Sequence, residues 1–191
     1  MSDSHEPASI ASRSVYHGSF LEVLVDTVRF PDGSTGDLEI VRHRGAAAAL
    51  PLLRAGERTD GGTGPAVVLL RQYRYAVGGW VWEVPAGKLE DAERPEECAR
   101  RELREEAGII AGALRPLTCL LTTPGFTDER IHLFVATDLQ FLEPQREPQE
   151  FMETRVLNLD AALGMVDRGE IADGKTVAAL LLAVRADDKG D

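Results

Sequence analysis

Hydrophobic and polar positions change rhythm several times along the chain. Between Ser14 and Val41 apolar residues come in short bursts, at 20–25, 27–30 and 38–41, broken by Pro31-Asp32-Gly33 and Gly36. Alternation punctuated by turn residues predicts a small antiparallel β unit. Gly45–Leu53 and Ala66–Gln72 read as two strands joined by the polar, Gly-rich stretch Arg54–Pro65, a long hairpin tip. A short strand is expected over Trp80–Val84, with further strands over Leu117–Thr122 and Ile131–Thr137. Pro95–Ala107 has helical spacing, with Ala99, Leu103 and Ala107 on one stripe, Pro95 in the first turn and Gly108 as a stop. Asp160–Arg168 and Thr176–Arg185 read as two more helices. Interleaved strands and helices without an internal repeat predict an α/β fold, a mixed sheet with helices packed on it.

The helix after Pro95 carries an unusual charge pattern. At about 100° per residue, Glu102, Glu105 and Glu106 fall within one arc that abuts the apolar stripe instead of lying opposite it. Glu97, Arg100, Arg101 and Arg104 fill the outward sector, where they can pair among themselves. Three carboxylates crowded at the edge of a core repel one another and lose hydration unless something neutralises them. Hard oxygen donors with no His or Cys nearby suit Mg²⁺ or Mn²⁺ better than zinc. The bland alternative is a solvated charged helix.

Composition narrows the classes further. The 191 residues carry a formal charge of −11, with 43% apolar and 28% charged residues, an ordinary globular balance. So acidic a chain is a poor general nucleic-acid binder, since affinity for polyphosphate comes mainly from clustered Lys and Arg. No apolar run approaches the ~20 residues of a membrane span. The first residues have neither the basic nor the apolar region of a secretion signal, so Cys98 and Cys119 are expected as reduced thiols in the cytoplasm.

Gly87, Glu93, Arg101, Glu102, Leu103, Glu105, Glu106, Gly108 and Ile109 fit G-x5-E-x7-R-E-U-x-E-E-x-G-U without a departure, where U is a bulky apolar residue. A chance match at a given start is on the order of 10⁻⁸ if each fixed position has about average residue frequency. The stretch resembles the Nudix box of hydrolases that act on nucleoside diphosphates linked to another group. That resemblance implies a Nudix α/β/α sandwich with a mixed sheet over 45–191, preceded by the small β unit at 1–44. It implies that Glu102, Glu105 and Glu106, with the carbonyl of Ala86, hold Mg²⁺ or Mn²⁺. Glu93 and Arg101 match the family's structural pair, and Gly87 and Gly108 complete the motif.

Outside the box, Thr122-Thr123-Pro124-Gly125-Phe126-Thr127-Asp128-Glu129, Arg71-Gln72-Tyr73-Arg74-Tyr75, Trp82-Glu83-Val84-Pro85-Ala86-Gly87 and Asp173-Gly174-Lys175-Thr176 are similar to the ADP-ribose pyrophosphatase subfamily. The resemblance implies hydrolysis of ADP-ribose to AMP and ribose 5-phosphate. Arg74 matches a phosphate-contacting position. Arg71 is either a second phosphate contact or a surface ion pair, Thr123 is placed at the substrate, and Glu39 matches a position that reaches the base or ribose from a partner subunit. Glu129, or Glu150 on a later Pro-containing loop, is implicated in activating water, with Glu105 beside the metal. The resemblance also implies a homodimer in which the β unit contributes to its partner's pocket. Rival readings are a GDP-mannose or other nucleotide-sugar pyrophosphatase, and a sensor that binds ADP-ribose without cleaving it.

One motif argues for another class. Gly169–Thr176 satisfies G-x-x-x-x-G-K-[ST], the P-loop pattern of nucleotide triphosphatases. A P-loop follows a buried strand, whereas Asp160–Arg168 has helical spacing, and Glu170 and Asp173 would put negative charge in the cradle. Asp173 reads instead as the N-cap of the last helix. Cys98 is a poor nucleophile candidate, lying mid-helix near the apolar face with no evident base.

Overall fold

A computed structural model describes residues 8–57, 62–146 and 151–187. The chain divides into two compact units: one holds the residues up to Gly45 together with Leu121–Arg130, the other holds Ala46–Leu120 and the chain from Ile131 onward.

In the first unit β1 (Ala8–His17), β2 (Leu21–Arg29) and β3 (Thr35–His43) form an antiparallel meander in that order. Gly33, at φ +85°, closes the β2–β3 turn with its N–H donating to the Phe30 carbonyl at 2.9 Å. Three strands this thin bury little, so the sheet leans on polar pins. Asp26, itself buried, accepts hydrogen bonds from Ser12 (2.5 Å) and Arg42 (3.1 Å). The 121–130 segment joins through backbone bonds from the Val41 N–H to the Phe126 carbonyl and from the Asp128 N–H to the Val41 carbonyl. All ten residues of β1 are exposed.

The second unit is a seven-stranded mixed sheet. Its path is β10 (Met152–Asn158), β5 (Ala66–Arg74), β4 (Ala46–Leu53), β9 (Arg130–Phe141) and β8 (Ile109–Leu121), with β4 and β9 parallel. β4 and β5 pair only at Leu52–Val67 and Leu53–Ala66, then diverge. The split is filled by β6 (Gly79–Glu83), which continues along β5, and by β7 (Ala86–Lys88), which continues along β4. β4 is buried from end to end because both of its faces are covered. Ala47, Ala49 and Leu53, with Ala66, Val68 and Leu70, pack against Cys98, Ala99 and Leu103 of α1 (Pro95–Glu106). Ala48, Leu50, Leu52, Val67 and Leu69 pack on the other face, against Leu159 and Ala162 of α2 (Leu159–Asp167) and Ala179, Leu180 and Ala183 of α3 (Gly174–Asp187). This is the expected α/β/α sandwich.

Asp173 caps α3 as expected: its carboxylate accepts from the Thr176 N–H at 3.0 Å. The P-loop look-alike follows α2, not a strand, which removes that reading. Three strands were not anticipated from the sequence, β1, β7 and β10; β2 runs through two of the expected apolar bursts, and β8 and β9 run well beyond their expected bounds. Residues 58–61 of the long hairpin tip lie outside the described residues. Among the described residues no helix is long and apolar enough to cross a membrane.

Candidate active site

Arg94 starts α1 in a reciprocal cap: its backbone N–H donates to Glu97 at 3.1 Å and its guanidinium to the same carboxylate at 2.9 Å. The helix ends at Gly108, whose φ of +66° and 2.1 Å approach to the Leu142 carbonyl, measured from where a Cβ would sit, admit only glycine. Between these ends Arg101 is the hub. Its guanidinium grips Glu93 with two hydrogen bonds (2.9 and 3.0 Å), Glu102 with one (2.6 Å) and Glu105 with one (3.2 Å), and it donates to the Lys88 carbonyl. The loop before the helix is thereby tied to it, as the motif implied. The Arg101 hydrogen bonds hold the Glu93 carboxyl below its usual range against the opposing effect of burial. This tie is therefore fully present above the ordinary carboxylate range and lost as pH falls through the lowered Glu93 pKa.

Arg101 corrects one expectation. It does not pair along an outward ladder but supplies the acidic sector with a counter-charge. Arg100 instead reaches Glu96 and the Ala111 carbonyl, and Arg104 the Glu143 carbonyl.

Glu102 and Glu106 are only 8% and 4% exposed. Both are pressed onto β7. Glu106 Oε2 accepts from the Ala86 N–H at 2.9 Å, and a Cβ on Gly87 would lie 1.7 Å from Glu102 Oε1, so only glycine lets that carboxylate in. Ala86, Gly87, Glu93, Arg101, Glu102, Glu105 and Glu106 are thus gathered at one end of the α1–β7 contact. Among the described residues no three acidic, His or Cys groups already converge as an ion cage. In chemistry the donors fit a hard divalent cation: carboxylates and a backbone carbonyl, half sunk beside a core.

Cys98 lies within the same contact, fully buried, its Sγ 3.5 Å from the Gly87 and Lys88 carbonyls and 3.4 Å from Arg101 Nη2. Burial pushes its thiol up to about 12. Cys119 is exposed. Iodoacetamide at mildly alkaline pH is therefore expected to alkylate only Cys119 in the native protein, and both thiols after unfolding; native labelling of Cys98 would contradict its burial.

The β5–β6 hairpin brings a second group. Arg74 Nε and Nη2 donate to the two oxygens of Glu83 at 2.7 and 2.8 Å. Lys175, from the start of α3, donates to Glu83 Oε2 at 2.6 Å. Burial works to raise the Glu83 pKa, but Arg74 and Lys175 together hold it below the usual range. The Arg74 pKa is raised, first through its hydrogen bonds to Glu83 and, to a lesser degree, by the charge of Glu106. Sequence reasoning missed Glu83 and Lys175 as site residues, because 92 positions separate them and no local period links them. The Arg71 guanidinium lies over the Trp80 ring, 5.5 Å from the centroid.

Glu129 belongs to the first unit. Thr122 Oγ1 donates to its Oε2 at 2.9 Å, and its Oε1 lies 3.4 Å from His43 Nδ1. That ring nitrogen already accepts the Gly45 N–H at 3.0 Å. Thr123 heads the same turn, its carbonyl accepting from the N–H groups of Phe126 and Thr127. Glu39 is exposed on β3, opposite Val25. Glu150 lies outside the described residues.

Comparison with known proteins bears on this arrangement. The NUDIX domain model matches residues 42–180. The ADP-ribose pyrophosphatase of Bacillus subtilis (strain 168) is 38% identical over 177 residues, covering 92% of this chain and 91% of that one. A GDP-mannose pyrophosphatase of Escherichia coli O1:K1 / APEC is 36% identical over 162 residues, covering 75% of this chain and 79% of that one. A crystal structure of an ADP compounds hydrolase superposes with a TM-score of 0.78 at 21% identity, over 100% of this chain and 99% of that one, a likeness of fold. With the box intact on α1 and the match running through the whole sandwich, the chain belongs to the NUDIX family.

Proposed function

We propose that the protein hydrolyses the diphosphate of ADP-ribose to AMP and ribose 5-phosphate, using Mg²⁺ or Mn²⁺. The observation that carries this reading is the pair of buried carboxylates, Glu102 and Glu106, seated on β7. Glu102, Glu105, Glu106 and the Ala86 carbonyl would hold the ion. A divalent cation bound there supplies charge compensation for the diphosphate and a more acidic water. Arg74 contributes fixed positive charge: Nε and Nη2 are committed to Glu83, and Nη1 makes no hydrogen bond among the described residues, leaving it for a phosphate oxygen. Water forms the new P–O bond, the bridging P–O bond breaks, and the water's proton passes to a glutamate, Glu129 or Glu150. No covalent intermediate with the protein is required.

The full-length relative named for ADP-ribose supports this substrate, and the relative named for GDP-mannose supports a nucleotide-sugar alternative. A panel of ADP-ribose, GDP-mannose, NADH and diadenosine polyphosphates decides between them: ADP-ribose is expected to give the highest kcat/KM, and a higher value for GDP-mannose would shift the assignment. ADP-ribose bound without AMP release would identify a sensor. The acidic chain and its two free thiols suit a small-molecule enzyme of the reducing cytoplasm, with no nucleic-acid or membrane partner.

The same reading includes a homodimer. The β unit is too thin for an independent core, and β1 leaves Ile10, Val15 and Tyr16 at least half exposed. Pairing Ser14–Val41 across a second copy would cover such residues and bring Glu39 to the partner's pocket. Light scattering at micromolar concentration should report twice 20.8 kDa; a fully active monomer of 20.8 kDa would refute the dimer.

A further inference from the structure

The stretch that mimics a phosphate loop has a different task in this fold. Lys175 is almost buried, its side chain 12% exposed, and its ammonium bridges Glu83 Oε2 at 2.6 Å and Asp173 Oδ1 at 3.1 Å. Asp173 uses its other oxygen to accept from the Thr176 N–H and hydroxyl, at 3.0 and 2.6 Å. The Thr176 hydroxyl, fully buried, in turn accepts the N–H of Val84 at 2.9 Å. Val84 and Pro85 link β6 to β7 in the split of the sheet, so the first turn of α3 is latched both to Glu83 and to the linker that leads into β7.

Burying an ammonium is costly, and Glu83 already has a bidentate partner in Arg74. A second cation therefore needs a reason beyond charge balance. With Arg74 alone, the Glu83 charge would cancel the guanidinium. With Lys175 drawing on the oxygen that Arg74 Nη2 also uses, that negative charge is divided between two cations, and more of the Arg74 charge remains for an external anion.

We propose that Lys175 is a positioning residue for Arg74, holding Glu83 so that the guanidinium keeps its orientation and its net attraction for the substrate diphosphate. The inference rests on the reading of Arg74 as a diphosphate contact. It turns Asp173-Gly174-Lys175-Thr176 from a false phosphate loop into a support acting from behind the site.

The test is a double-mutant cycle in kcat/KM on the best substrate of the panel, with melting temperature followed in parallel. Lys175→Met is expected to lower kcat/KM by about 10- to 100-fold, the usual size of an outer-shell effect, and Lys175→Arg to restore most of it. Because Lys175 acts through Arg74, adding Lys175→Met to Arg74→Ala should cost no further activity, although any loss of melting temperature should persist. A merely structural lysine would lower activity in both backgrounds alike. Should Lys175→Met not fold, Asp173→Asn, which loosens the lysine's second anchor, should give a smaller loss that likewise vanishes in Arg74→Ala. Additive losses, or a Lys175→Met enzyme with unchanged kcat/KM, overturn the proposal while leaving the role of Arg74 intact. Unchanged kcat/KM in Arg74→Ala alone removes the diphosphate contact, and the proposal with it.

Discussion

Replacing Glu106 by Gln is expected to abolish hydrolysis and leave the fold intact. Glu106 is almost wholly buried and its Oε2 accepts the Ala86 N–H. Gln has the same shape and keeps a carbonyl oxygen for that hydrogen bond, so the α1–β7 contact survives. What it loses is one of the negative charges the resemblance assigns to the metal. An ion that supplies several kcal/mol of transition-state stabilisation accounts for about 10³-fold or more in kcat. Removing a charge from a crowded acidic sector relieves repulsion, so the melting temperature without metal should hold or rise. The rise is small, since Arg101 already offsets Glu102 and Glu105. Unchanged turnover of Glu106→Gln would sink the metal assignment, and a collapsed melting temperature would make the residue structural.

The second large effect is expected at Glu129. Its backbone lies in the turn that runs into β9, and its carboxylate is held by the Thr122 hydroxyl. A general base must stay within hydrogen-bond reach of the proton it takes, and such a mount favours Glu129 over a glutamate on a Pro-containing loop. Glu129→Gln should lower kcat by roughly 10²- to 10⁴-fold with little change in KM, and the acidic limb of the pH–rate profile should disappear. If Glu150→Gln causes the larger kcat loss and Glu129→Gln mainly weakens binding, the assignments are exchanged and the proton goes to Glu150.

Much of the sandwich was readable because its central strands and α1 carry strong local patterns. β4 and β5 are apolar runs bounded by polar loops, and α1 has both its stripe and its stop. β10 was missed because its sequence, Met152 to Asn158, alternates charged and apolar residues too weakly to outweigh its edge position. β8 is expected only over Leu117–Thr122 but starts at Ile109, running through Gly112 and Pro116, which an outer strand tolerates. β7, only three residues long, exists because the split between β4 and β5 leaves an edge for it, a fact of tertiary pairing with no local signature.

The site divides in the same way. Contacts within the box, such as Arg101 to Glu93, sit on a fixed spacing and were legible. Helical angles alone placed Arg101 on the outer face, because they ignore the reach of a guanidinium back across its own helix. The Glu83 cluster joins a strand end to a helix start late in the chain, and only the folded sheet shows that the two meet.

The most direct measurement is the product analysis of ADP-ribose incubated with the protein and Mg²⁺ in ¹⁸O-labelled water. The predicted result is equimolar AMP and ribose 5-phosphate, with one ¹⁸O in a product phosphate and no turnover in excess EDTA. Intact ADP-ribose with Mg²⁺ or Mn²⁺ present, or undiminished hydrolysis in EDTA, would contradict it.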